Sequence, residues 1–173
     1  MGLFAGVLLL LLSLSGGEII WSADRPLTYG DFRGRIPSGS PWAATTRSTI
    51  RFSYETVNGV LSRWDVQATF DPEGSWMRVK DPAVLQHEQL HFDITEVYAR
   101  LFCAHLNRLQ GTRVPRAVLR DLFDEFNRRC DSVHVAYDEG TAHGTIASAQ
   151  AAWTDSVKSW LVKNAPCSTR KDY

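Results

Sequence analysis

His87, Glu88 and His91 are the residues of this chain whose types and spacing most plainly encode chemistry. Two histidines four positions apart on a helix lie one turn apart on one face and can grip a single Zn²⁺. Glu88 follows the first of them, so it points beside such a metal rather than at it, where a general base for an attacking water must stand. The motif H-E-x-x-H fixes only three positions, and a chain of this length matches it by chance on the order of once in a few hundred. The competing reading is an amphipathic helix with two hydrogen-bonded, partly buried histidines.

Two histidines leave a catalytic site incomplete, since zinc usually takes three protein ligands and a water. The metzincin extension would place Gly at 94 and His at 97, where this chain has Ile94 and Val97, so that class is excluded. His105 shares the helix face but lies 14 residues beyond His91, about 21 Å along the axis. His134 falls in the middle of a second helical stripe and reads as a packing histidine. The segment Tyr137 to Gly144 remains, a Gly-punctuated break able to fold back over the first helix. His143 is the preferred third ligand, with Asp138 or Glu139 as the carboxylate alternatives. Tyr137 is a candidate donor to a developing oxyanion, although a tyrosine on a helix stripe is more often core. Asp93 points away from the metal face and suits a capping or outer-shell role, and Glu96 a solvent-side or salt-bridged one.

The elements that must position these residues can be read from periodicity. Ser48 to Thr56 is rich in β-branched and aromatic residues. Asn58-Gly59 signals a type I′ hairpin, and the return strand is expected over Val60 to Phe70. Ser75 to Val79 could add a short strand. Asp81-Pro82 caps and opens a helix carrying Val84, His87, His91, Ile94, Tyr98, Leu101 and His105 on one face. Pro115 opens a second helix, with Leu119, Leu122, Phe126, Cys130, Val133 and Tyr137 in a stripe, interrupted from Asp138 to Gly144. A third helix carries Ile146, Ala149, Trp153, Val157 and Trp160. The expected fold is α+β, with a small antiparallel or mixed sheet in the N-terminal half followed by three helices.

The chain has 173 residues, 44% hydrophobic and 22% charged, which suits a single domain. Its 19 basic and 19 acidic residues cancel, so no charge excess favours nucleic acid or an anionic membrane. Leu3 to Leu14 is an apolar run followed by small residues. It is too short for the roughly 20 residues of a membrane span, but it has the length of a secretory signal core. Residues 1–17 are therefore expected to be a signal peptide, without a basic n-region, and 18–173 one exported domain, secreted or periplasmic. Cys103, Cys130 and Cys167 allow at most one internal disulfide, and their spacing matches no zinc pattern.

The run Leu85 to Glu96 (LQHEQLHFDITE), with Tyr137-Asp138, Thr141, His143-Gly144, Gln150 and Trp153, resembles a bacterial family of predicted secreted zinc-dependent proteases. That family is catalogued mainly as a domain of unknown function. Tyr29 to Gly34 and Ser75-Trp76-Met77 also resemble its pattern, so the likeness spans nearly all of the expected mature chain. Tyr29 departs from the family's more usual Trp. The resemblance implies a zincin-like active helix, and it adds weight to His143 through the paired segment Y-D-x-x-T-x-H-G. The expected activity is metallopeptidase hydrolysis with Zn²⁺ as cofactor, Glu88 as base and a peptide as substrate. A zinc amidase acting on cell-wall peptides and a non-catalytic zinc-binding or partner-binding domain are the alternatives.

Overall fold

The computed structural model describes residues 17–167; the expected signal peptide, apart from Gly17, lies outside them. The fold is α+β, with small antiparallel sheets first and three helices after them. Strands β1 (Ile19–Ile20), β3 (Ser48–Val57) and β4 (Val60–Phe70) form one sheet in the order β1-β4-β3. Strands β2 (Ala44–Thr45) and β5 (Trp76–Met77) form a second. Asn58 and Gly59 both have positive φ, 53° and 78°, as a type I′ turn requires.

Pairing passes from Glu55–Arg63 to Thr56–Leu61, leaving Ser62 as an extra residue. This bulge shifts the alternation by one, so Leu61 and Trp64 are both buried on a strand where period two would separate them. Beyond it Val66, Ala68 and Phe70 keep the regular inward pattern.

Helix α1 (Pro82–Leu109) starts where Asp81 accepts a hydrogen bond from the Ala83 N–H and Pro82 takes the first turn. It was expected to bury one face, and instead it is central. Phe92, Ala99, Phe102 and Leu106 pack with Leu61, Trp64, Val66 and Phe70 of the sheet. Leu90, Ile94 and Val97 pack with Cys130 and Tyr137 of α2 (Arg116–Thr141) and Val157 of α3 (Ala147–Lys163). Each such side chain contributes about 1.5–3 kcal/mol on burial, so α1 is the element both layers share.

The polar residues of α1 serve as ties. Asp93 accepts from Trp21 Nε1 and Gln89 Nε2, both at 2.8 Å, and Gln89 Oε1 accepts from the Leu27 N–H. Glu96 pairs with Arg100 at 2.7 Å, and Arg100 donates to the Leu161 and Asn164 carbonyls at the end of α3. Two expectations about the later helices need correcting. Helix α2 does not break at Asp138 but runs through Thr141, because a single Gly140 costs only about 0.5–1 kcal/mol. In α3 the inward stripe is Gln150, Thr154 and Val157, while Ile146 is exposed.

Cys103 and Cys167 form a disulfide with Cα atoms 5.6 Å apart, tying the segment after α3 to α1. Cys130 is free and buried, and burial, with Asp131 nearby, pushes its thiol up to about 12. The bridge closes a 64-residue loop, so Cys167→Ser should lower stability by about 2–4 kcal/mol. That is about 5–15 °C in Tm by thermal denaturation. In the same samples the native protein should present one thiol that alkylates only after unfolding; rapid native labelling would contradict the placement of Cys130. Among the described residues no helix is long and apolar enough to cross a membrane.

Candidate metal centre

His87 and His91 sit one turn apart on α1, and Asp138 meets them from the last turn of α2. Nε2 of His87 and Nε2 of His91 each lie 3.0 Å from Asp138 Oδ1. One ligand atom from each of these three residues lies within 4.8 Å of the other two. They form a group that could hold a metal ion. Two imidazole nitrogens and one carboxylate oxygen are a donor set used by divalent transition metals with bonds of about 2.0–2.2 Å.

The group is braced from behind. His87 Nδ1 lies 3.1 Å from Gln150 Oε1 on α3, and the Tyr137 hydroxyl donates to the same oxygen at 2.9 Å. An N–H on Nδ1 therefore finds an acceptor and leaves Nε2 to face the centre. His91 Nδ1 lies 2.9 Å from His134 Nδ1, and His134 Nε2 lies 3.3 Å from Thr95 Oγ1. Burial, with the neighbouring His91, drops His134 to about 3, so it stays neutral and can accept at Nδ1 while Nε2–H points at Thr95. Burial resists charge on His87, yet its contacts to Asp138 and Gln150 and the charge of Glu88 outweigh this and raise its pKa. Burial likewise works to raise Asp138, but the hydrogen bonds to His87 and His91 prevail and hold the carboxyl well below the usual range.

Glu88 is 5% exposed and occupies the next position on the helix. Its carbonyl accepts from the Thr46 hydroxyl beside β2, while its carboxylate Oε2 is buried without a hydrogen-bond partner among the described residues. A buried unpaired carboxylate oxygen costs about 1–3 kcal/mol or more, so a polar group belongs against it.

The turn after α2 is built around this centre. Ala142, His143 and Gly144 all have positive φ, at 48°, 54° and 81°. Gly144 lies flat against His87: a Cβ there would come within 3.0 Å of the ring. Thr141 Oγ1 accepts from the Gly144 N–H, and the His143 N–H donates to the Asp138 carbonyl, closing the helix end.

The structure brings together His87, His91 and Asp138, with Glu88 near enough on α1 for its charge to act on His87. It places His143 at the rim, with Nδ1 3.6 Å from Asp138 Oδ1 and the ring tilted against Trp42, centroids 4.2 Å apart. Glu139 is exposed on the far side of the helix, and Tyr137 is fully buried with its hydroxyl engaged by Gln150 and the His87 carbonyl. His134 does more than pack, since it backs His91. Its signal was present in the sequence: Cys130, His134 and Asp138 recur every four residues, which one uninterrupted helix places on one face. Trp42 carries no such signal. No family model, curated protein or solved structure matches the chain.

Proposed function

We propose that this protein is an exported zinc-dependent metallopeptidase that hydrolyses peptide bonds, with Zn²⁺ held by His87, His91 and Asp138. The observation that carries the reading is the convergence of these three donors, next along α1 to Glu88, a buried carboxylate with an oxygen unpartnered among the described residues. A zinc ion held there supplies Lewis acidity, bringing the pKa of a water molecule to about 7 and polarising a carbonyl. Glu88 accepts the proton of the attacking water as its oxygen adds to the peptide carbon. It returns the proton to the amine nitrogen as the C–N bond breaks. Gln150 and His134 hold the two imidazoles in register throughout. The Cys103–Cys167 bridge favours an oxidising compartment, secreted or periplasmic. A purely structural zinc site would have no use for Glu88.

The purified chain should bind about one zinc per molecule and cleave members of a peptide library in a reaction that a chelator stops and added zinc restores. Cleavage confined to isolated cell-wall fragments would reassign it as a wall-peptide amidase. A protein that takes up no zinc, or cleaves neither substrate when loaded, would refute the reading.

A further inference from the structure

We infer that His143 is a catalytic residue that stays off the metal and donates a hydrogen bond to the oxygen of the scissile carbonyl; this rests on the metallopeptidase reading above. Side-chain exposure climbs in order across the centre: 6% for His87, 12% for His91, 30% for Asp138 and 46% for His143. His143 is thus the most exposed of the four side chains and His87 the least, so the His143 side is the accessible approach to the three donors for a substrate carbonyl. His143 is close to one donor, Asp138 Oδ1, but does not join the mutually close group. It stands beside the centre rather than in it.

Its position is enforced from two directions. Two consecutive non-glycine residues, Ala142 and His143, adopt the left-handed conformation, at a cost of about 1–2 kcal/mol each. Such backbone persists where the surroundings over-determine it, commonly at functional sites. Here the turn seats Gly144 under His87 and directs His143 to the open side. From the N-terminal half, the Trp42 indole packs against the ring, centroids 4.2 Å apart and planes tilted by 43°. Trp42 is 46% exposed and would be an odd surface residue by itself. Its segment is nonetheless clamped, because Arg78 donates to the Ser40 carbonyl at 2.7 Å and the Trp42 carbonyl at 2.5 Å. The result is an imidazole held between Trp42 and Asp138, with about half of its surface open to solvent. A donor so placed stabilises the charge that builds on the carbonyl oxygen as water adds, and it neither forms nor breaks a covalent bond. Removing one such donor typically costs about 10²–10³-fold in kcat.

Zinc content, peptide cleavage and affinity for N-phosphoryl-Leu-Phe, a tetrahedral anionic peptide analogue, should be measured on wild type, His143→Ala, His143→Gln and Trp42→Ala. All four should keep about one zinc. His143→Ala should lose about 10²–10³-fold in kcat with little change in KM, and bind the phosphoryl peptide at least tenfold more weakly. His143→Gln should recover part of both, and Trp42→Ala should show a smaller loss of the same kind. Loss of zinc from His143→Ala would make the residue a ligand and overturn the inference. So would retained zinc with unaltered kcat and phosphoryl-peptide affinity. If zinc-loaded wild type cleaves no peptide and binds no phosphoryl peptide, the metallopeptidase reading itself fails; if wild type does both and His143→Ala equals it, only this inference fails.

Discussion

Glu88→Gln protein should retain its full zinc content while its turnover falls by about 10²–10⁴-fold, the usual contribution of a positioned base. The split is expected because the substitution changes one function and little else. Glu88 is buried among close neighbours, and Gln has nearly the same shape, so the packing of α1 survives. The backbone bond from Thr46 does not involve the side chain. The atoms proposed to hold the metal belong to His87, His91 and Asp138, none of which the change touches. The one thing removed is a carboxylate able to take a proton, at an oxygen that has no other partner among the described residues. Metal analysis and peptide cleavage on the same preparation decide the matter. Equal turnover with zinc bound would show that Glu88 is not the base.

Asp138→Ala should have the opposite signature, losing the metal before it loses anything else. Zinc sites in small domains bind with about 10–16 kcal/mol shared among three or four ligands, so one ligand accounts for about 3–5 kcal/mol. The corresponding drop in zinc affinity is about 10²–10³-fold or more. His87→Ala and His91→Ala should fall in the same range, whereas Glu139→Ala, on an exposed position of the same helix turn, should leave affinity unchanged. Competition titration against a chromophoric chelator reads all four. Undiminished zinc affinity in Asp138→Ala would remove α2 from the centre and return the search for a third ligand to His143.

The contrast between Asp138 and His143 shows why the ligand choice could not be read from composition. Both sit in one eight-residue segment, and either type of side chain can complete a zinc site. What separates them is where α2 ends. With the helix stopped at Asp138, the carboxylate belongs to a loose turn and His143 is the natural reach. With the helix continued through Thr141, Asp138 is one turn beyond His134 on an inward face, and His143 is carried past the group to its rim. Tyr137 lies on the helix in either case, and it is the packing of α3 against α2 that takes up its hydroxyl at Gln150.

By itself, then, the sequence determined what local rules control. The strand Val60–Phe70, the type I′ turn at Asn58-Gly59, the Asp81 cap with Pro82, and the shared face of His87 and His91 all depend on residues within a few positions of one another. The general α+β order follows from the switch of hydrophobic period partway along the chain. Tertiary structure alone decided that α1 is buried on both sides. It also decided that Gln150 and His134 back the two imidazoles, that Cys103 pairs with Cys167, and that Trp42 faces His143. Each of these joins residues tens of positions apart, and a contact at that range is set by how α2 and α3 pack across α1. Periodicity says which face of a helix is apolar; it carries no information about which neighbour that face will meet.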